Sequence, residues 1–264
     1  MIEREDREGG IRVLRLAHNK ANALDLELLA AVEEALAEAE GDGSRALVLT
    51  GSGSIFSAGV NLFRVLDGGA AYLEDFLPAL DSGLRRLITC PLPLVAAING
   101  HAIAGGWVVA CACDYRVMAD GYGKLGLPEL QVGVAFPPLV VEIVRAVTPP
   151  QFLQELMLGG STFTGEEARR RGLVQEAVAP EQVVDRAAEV GRRLAAVPAA
   201  AFRLTKEQLA LPLLRRAAAG DEAVREQVHA VWKAPATLEV IRAYLERTVG
   251  RGGGATVAPH QPSR

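Results

Sequence analysis

The sequence predicts an α/β fold that ends in a purely helical part. Strand and helix patterns alternate up to about residue 180, and only helical patterns follow. Half of the 264 residues are hydrophobic and 23% are charged, as in an average globular protein. Because aromatic residues make up only 5% of the chain, we expect an aliphatic core.

The first hundred residues contain three apolar runs that are typical of buried strands. These runs cover residues 11–16, 45–50 and 93–98. Apolar residues at helical spacing predict a helix over 25–40, with Asp25 as its N-cap. A glycine- and serine-rich loop with a short helix follows the second strand. A longer helical pattern covers 72–89, where Pro78 is expected to kink or break the helix.

The second part of the chain continues the alternation and then becomes helical. A helix is predicted to begin at Gly105 and Gly106, and Thr164 with Glu167 has the pattern of a capping box. The predicted strands cover 115–119, 124–127 and 173–178. The other predicted helices cover 138–147, 151–158, 180–197, 200–210, 221–233 and 235–249.

Composition and motifs exclude several classes of function. The formal charge of −4 gives no general attraction to nucleic acid or anionic membranes. The three cysteines form no paired framework, the N-terminus has no signal-peptide pattern, and no apolar run is long enough to span a membrane. We therefore expect a cytoplasmic protein. Phosphate-loop, dinucleotide-binding, nucleophile-elbow and metal-binding motifs are all lacking, so no metal, nicotinamide or flavin cofactor is predicted.

Two glycine-bearing loops each follow a buried strand, at 56–62 and 99–106. Glycine allows a ligand to approach the backbone closely. If the loops lie side by side, two backbone N–H groups can point at one oxygen and form an oxyanion hole. Ordinary strand-to-helix turns that need glycine for packing are the simpler interpretation of the residues alone.

Glu129 is the third candidate feature, within the apolar segment GLPEL at 126–130. A carboxyl group in apolar surroundings has a raised pKa and can act as a general base. A solvated loop glutamate is the alternative interpretation, and it is the commoner case.

Five segments together resemble the crotonase superfamily of enoyl-CoA hydratases and isomerases. They are KANALD (20–25), ALVLTGSGSIFSAGVNL (46–62), PLVAAINGHAIAGGWVVACACDYRVMAD (93–120), GLPELQVG (126–133) and TGEEARRRGLV (164–174). The resemblance covers about residues 2 to 250. It implies a spiral of ββα turns over residues 1–197 and a helical trimerisation region over 198–249. A disordered tail over 250–264 completes the predicted division of the chain, and a homotrimer or dimer of trimers is the implied assembly.

The resemblance also assigns roles to individual residues. It implies that the N–H groups of Val60 and Gly105 form the oxyanion hole and that Glu129 is the base. The implied substrate is an acyl-CoA thioester, whose coenzyme A is part of the substrate rather than a separate cofactor. Residues implied to contact coenzyme A are Ala58, Gly59, Asn61 and Leu62, with Lys20 and Lys206 at its phosphates. Since lysines are usually exposed, it is an equally good interpretation that these two are only solvated and bind no phosphate.

One departure from the hydratase pattern favours an isomerase. Hydratases of the family use two glutamates, and Val108 stands where the first would be. The pattern with a single glutamate, together with Tyr244-Leu-Glu-Arg247, resembles the mitochondrial-type Δ3,Δ2-enoyl-CoA isomerases. The main alternative is a hydratase or other crotonase-type lyase that takes its second acid from Asp67 or Glu74, although both fit a solvated helix face. A non-catalytic acyl-CoA binding homologue is a further alternative.

Overall fold

The computed structural model describes residues 1–219 and 222–249, which form two sheets surrounded by ten α-helices. The strands are β1 Ile2–Arg7, β2 Ile11–Leu16, β3 Ala46–Gly51, β4 Ile55–Ser57, β5 Leu94–Ile98, β6 His101–Ile103, β7 Tyr115–Ala119, β8 Leu125–Gly126, β9 Thr162–Phe163 and β10 Glu176–Val178. The helices are α1 Leu26–Gly41, α2 Leu62–Thr89, α3 Gly105–Cys111, α4 Pro138–Val147, α5 Pro150–Met157, α6 Gly165–Arg170, α7 Val183–Ala195, α8 Ala199–Ala219, α9 Glu222–Lys233 and α10 Pro235–Val249. Two short 3-10 helices cover Glu129–Val132 and Pro180–Gln182.

The chain runs repeatedly through one strand of each sheet and then a helix. The larger sheet has the order β1-β2-β3-β5-β7-β10, and the smaller sheet has the order β4-β6-β8-β9. All neighbours in the larger sheet are parallel except β1 and β2. Successive β3-β4-α2 and β5-β6-α3 units thus form turns of a ββα spiral, which confirms the predicted fold class.

Both faces of the larger sheet are covered, which explains why its central strands are apolar without alternation. One face packs against α7 through a cluster that includes Val13, Val48 and Val95. The other face belongs to the main core with residues such as Leu47 and Leu94. The carboxyl ends of these strands lead into the smaller sheet and the two glycine-bearing loops.

Most predicted elements are confirmed, and the exceptions have local causes. β1 was not predicted because its residues Ile2–Arg7 form an edge strand, largely exposed and with a single apolar residue. The short helix predicted after the first loop and the helix predicted from 72 are joined as α2, which begins at Leu62 and bends at Gly69 (φ 54°, ψ −143°), not at Pro78. The strand predicted over 173–178 is restricted to Glu176–Val178.

The C-terminal helices fold back onto the core of the same chain. α8 packs against α4, whereas α9 and α10 pack against α2, and α10 also contacts the 3-10 helix that begins at Glu129. The helix predicted over 200–210 continues to Ala219. The domain boundaries and the trimer remain predictions, and the predicted tail over 250–264 lies outside the described residues. Across the described part of the chain, no helix combines the length and apolarity that crossing a membrane requires.

Candidate active site

A pocket with about 1080 Å³ of empty space lies where the glycine-bearing loops meet the helices. Its wall combines both loops, the Glu129 segment and parts of α2, α3, α4, α9 and α10. The lining side chains are almost all apolar. Glu129 and Tyr244 are the two titratable residues among the described ones that line it.

The first loop is attached to the segment before α1 by hydrogen bonds on both sides of Val60. Leu24 N donates to Gly59 O at 2.7 Å, and Asn61 N donates to Leu24 O at 2.8 Å. The N–H of Val60 itself has no acceptor in the described part of the chain. Gly59 has a φ of +84°, a left-handed conformation that favours glycine, and it directly precedes the peptide that carries the Val60 N–H.

The second loop leads into α3, and Gly105 is the first residue of this helix. The N–H groups in the first turn of a helix have no partner within that helix. The N–H of Gly105 also donates to no acceptor elsewhere within residues 1–219 and 222–249. The preceding Ala104 has φ 53° and ψ −130°, which costs a non-glycine residue about 1–3 kcal/mol. This strained backbone determines the orientation of the peptide that carries the Gly105 N–H.

The two loops are in direct contact. A β-carbon at Gly105 would lie 3.7 Å from Val60 N, and one at Gly59 would lie 2.9 Å from Gly105 N. Both Val60 and Gly105 line the pocket. The structure therefore brings together two unpaired N–H groups at one part of the pocket wall, which is the arrangement that an oxyanion hole requires.

Glu129 begins the 3-10 helix that forms another part of the pocket wall. Its Oε2 has no solvent contact and no hydrogen-bond partner among the described residues. Burial raises the pKa of Glu129 to about 8, since an apolar environment disfavours the charged form. At this pKa the carboxyl group is mostly protonated at pH 7 and half-ionised near pH 8, so its ionised form can act as a general base at mildly alkaline pH.

No second carboxylate lines the pocket in the described chain. Val108 is 2% exposed and contributes an apolar side chain to the wall. Glu74 lies on the exposed surface of α2, where Lys233 Nζ donates to it at 2.6 Å. Asp67 is also exposed and outside the pocket lining. Neither alternative acid is brought to the site.

The residues predicted to contact coenzyme A do not all reach the pocket. Ala58, Asn61 and Leu62 line it, whereas Gly59 is not among the lining residues. Lys20 is exposed and directly precedes the lining residue Ala21. By contrast, Lys206 is 8% exposed and does not line this pocket.

The structure gives Lys206 an ion pair that was not predicted, and its contact with coenzyme A stays a prediction. Its ammonium donates to Asp114 Oδ2 at 2.7 Å and to Leu92 O at 3.2 Å, which ties α8 to the start of β5. Because an ammonium buried in an ion pair is less available to a phosphate, we expect a mainly structural role for Lys206.

Three residues of the far wall were not predicted as site residues: Trp232, Tyr244 and Leu245. Trp232 Nε1 donates to Ala135 O at 2.8 Å, which attaches α9 to the segment beside the pocket. Burial raises the pKa of Tyr244. The only signal in the sequence was the resemblance of the segment 244–247 to isomerases, which says nothing of its place in the fold.

No cluster of three or more metal-ligating side chains occurs among residues 1–219 and 222–249. The three cysteines are buried and unpaired. The pocket lining thus includes two residues with unpaired backbone N–H groups, Val60 and Gly105, and one carboxyl group of raised pKa, that of Glu129.

The chain belongs to the enoyl-CoA hydratase/isomerase family, whose sequence profile matches residues 6–250. The crystal structure of human mitochondrial delta3-delta2-enoyl-CoA isomerase superposes with a TM-score of 0.90 at 28% identity, covering 96% of this chain and 99% of the other. A carnitinyl-CoA dehydratase from Salmonella arizonae is 34% identical over 71% of this chain and 72% of its own length. The mitochondrial enoyl-CoA delta isomerase 1 of Rattus norvegicus is 30% identical over 86% of this chain and 77% of its own length.

Proposed function

We propose that the protein is an enoyl-CoA isomerase that converts 3-enoyl-CoA to trans-2-enoyl-CoA. The observation that carries this proposal is that Val60, Gly105 and Glu129 line one pocket, in which Glu129 has the only carboxyl group among the described lining residues. Moving a double bond within a thioester requires one base and stabilisation of a negative oxygen, and both are available here.

In the proposed reaction, the thioester oxygen accepts hydrogen bonds from the N–H groups of Val60 and Gly105. The ionised Glu129 removes a proton from C2, and the electron pair of that C–H bond forms a C1=C2 double bond while the charge moves to the oxygen. The same carboxyl group then returns the proton to C4. The C3=C4 double bond is lost, C2=C3 forms, and the thioester carbonyl is restored without any external reactant.

The magnitudes of these effects are sufficient for catalysis. Removing one oxyanion donor typically costs about 2.7–4 kcal/mol of transition-state stabilisation. A positioned general base typically contributes about 10²–10⁴-fold in rate. Since coenzyme A is carried by the substrate, the proposed reaction needs no separate cofactor. Ala58, Asn61 and Leu62 would contact the coenzyme A part, and Lys20, which is exposed next to the lining residue Ala21, would contact its phosphates.

Hydration is the second candidate, and the 34% identity to a carnitinyl-CoA dehydratase favours it. Adding water to a conjugated double bond requires activation of water and delivery of a proton to C2, which two acid/base groups perform well. Val108 provides no such group, and neither Asp67 nor Glu74 lines the pocket. The lining residues therefore support isomerisation better than hydration.

The test compares turnover of 3-enoyl-CoA and 2-enoyl-CoA by the full chain and by Glu129→Gln. We expect rapid isomerisation, little hydration, and a loss of about 10²–10⁴-fold in isomerisation in the variant, with similar acyl-CoA affinity. Rapid hydration by the unmodified protein would favour the second candidate. Binding of acyl-CoA without any turnover would favour the non-catalytic alternative.

A further inference from the structure

We propose that Asp25 is a positioning residue that holds the oxyanion loop in place through Asn61, with His18 supporting its carboxylate. This inference rests on the proposed function, because it concerns the donor N–H of Val60. Asp25 is 4% exposed and does not line the pocket. It acts on the reaction only through its neighbours.

The carboxylate of Asp25 connects three separate segments. Its Oδ1 accepts from Leu28 N at 3.0 Å and caps α1. Its Oδ2 accepts from His18 Nε2 at 2.8 Å and from Asn61 Nδ2 at 3.2 Å. An N-cap needs only the first of these bonds, so the two bonds at Oδ2 require another explanation.

Asn61 transmits this restraint to the oxyanion donor. Its side-chain Oδ1 accepts from Arg64 N at 3.3 Å and caps α2, while its backbone N–H donates to Leu24 O. Val60 lies directly before it, and Leu24 lies directly before Asp25. The bond between the Asn61 side chain and Asp25 thus restrains the peptide next to the Val60 N–H. It also connects the N-terminus of α1 to that of α2.

His18 supports the same carboxylate oxygen of Asp25 that binds Asn61. The ring is partly buried, with its side chain 20% exposed, and the backbone N–H of His18 donates to Asn22 Oδ1 at 3.1 Å. Asn22 in turn touches the first loop, since its carbonyl oxygen accepts from Ser57 Oγ at 2.7 Å. The segment 18–25 is therefore a support for the oxyanion loop along its whole length.

Positioning of this kind affects the rate more than the affinity. Oxyanion donors act on the charge that develops in the transition state, and a displacement of about 1 Å can cost about 10²-fold in rate. Loosening the loop should therefore lower kcat while KM changes little.

The test uses two variants that keep a helix cap but remove the link between the two side chains. Asp25→Ser and Asn61→Ser each retain a side-chain oxygen suited to capping, yet the Asp25–Asn61 bond is lost. We expect kcat to fall about 10- to 100-fold in each. KM should stay within about threefold in Asp25→Ser, whereas only kcat is compared for Asn61→Ser because Asn61 itself lines the pocket. The double variant should be no slower than the slower single variant, because both changes break the same bond.

Thr164→Ala is the matched control, since it removes the capping side chain of α6 outside the pocket. We expect it to lower the melting temperature and leave kcat unchanged. Equal kcat in unmodified protein and both serine variants would overturn the inference, as would strictly additive losses in the double variant. If Asp25→Ser does not fold, Asn61→Ser carries the same test.

A spectroscopic measurement separates this inference from the proposed function. The carbonyl stretch of bound ¹³C1-labelled hexanoyl-CoA reports hydrogen bonding to the thioester oxygen without any reaction. We expect a band shifted to lower frequency in the unmodified protein and in Thr164→Ala, and a smaller shift in Asp25→Ser. An unshifted band in the unmodified protein would overturn the oxyanion hole and this inference together. A full shift retained in Asp25→Ser would overturn the inference alone.

Discussion

Gly59 packs so closely against Gly105 that a β-carbon on the first residue would lie 2.9 Å from the amide nitrogen of the second. The same β-carbon would lie 2.8 Å from Ile103 O. Both contacts are with backbone atoms, which cannot move aside as a flexible side chain can. The close approach of the two loops therefore depends on the lack of a side chain at position 59.

We predict that Gly59→Ala separates the two oxyanion donors and lowers kcat by about 10²-fold or more. The variant also places alanine at a φ of +84°, which reduces stability. Gly43→Ala is the matched control, because Gly43 has a φ of +90° but nothing within 4 Å of the new β-carbon. It should lose stability and keep its kcat. Similar kcat values for the two variants would contradict the prediction.

The pH dependence of kcat/KM should report Glu129. Since only the ionised carboxylate removes a proton and burial raises its pKa to about 8, kcat/KM should rise about tenfold per pH unit below pH 8 and level off above it. The measurement is isomerase turnover from pH 6 to pH 9.5. A profile that is flat over this range would show that another group is the base.

Whereas kcat/KM should rise with pH, the stability of the folded protein should fall. The pKa of Glu129 is raised from 4.5 to about 8 on folding, so between these values the unfolded chain releases a proton that the folded protein keeps. The free energy of unfolding therefore falls as the pH rises through this window. Glu129→Gln removes the effect, and its melting temperature should exceed that of unmodified protein by several degrees at pH 9. The two should differ little at pH 4.5, and a difference independent of pH would contradict this.

Val108→Glu tests whether the missing carboxylate determines the reaction. Two nearby carboxyl groups raise one pKa and share a proton, which suits hydration. We predict weak hydration of 2-enoyl-CoA by this variant, at some cost in stability because position 108 is buried. Val108→Gln has a similar size without an acid and should gain nothing. Equal hydration by the two variants would show that shape, not the carboxylate, is responsible.

The two lysines should behave differently when each is replaced by methionine. Lys206→Met leaves Asp114 without its ammonium partner, and breaking a buried ion pair typically costs about 3–5 kcal/mol. Its melting temperature should fall while KM is unchanged, and adding Asp114→Asn should restore part of the loss. Lys20→Met should instead raise KM severalfold without affecting the melting temperature. A raised KM in Lys206→Met would support this residue as a coenzyme A contact.

Elements with strong local signals could be predicted from the sequence. Asp25 at the start of a periodic apolar pattern predicts the N-cap of α1, and its carboxylate does accept from Leu28 N. The bend of α2 could not be placed in advance, because two breakers compete. Pro78 is exposed and lies within the helix, whereas Gly69 has a backbone conformation that only glycine readily adopts.

The candidate site also has a part that the sequence predicts and a part that it does not. The loops that contain Val60, Gly105 and Glu129 can be located because short motifs mark them. The far wall with Trp232 and Tyr244 depends on packing between distant segments, for which a single sequence contains no local pattern. The strands of the smaller sheet are equally hard to predict, since two or three residues are too few to show alternation.

The pocket wall is built from segments that are synthesised at different times, and Trp232 on α9 completes it late. Ala21, Glu129 and Trp232 line one pocket but leave the ribosome at widely separated times. While α9 and α10 are still being translated, both glycine-bearing loops have already been synthesised. The part of the pocket wall that contains Trp232, Tyr244 and Leu245 is still missing. A nascent chain therefore contains Val60, Gly105 and Glu129 before the pocket that they line is complete.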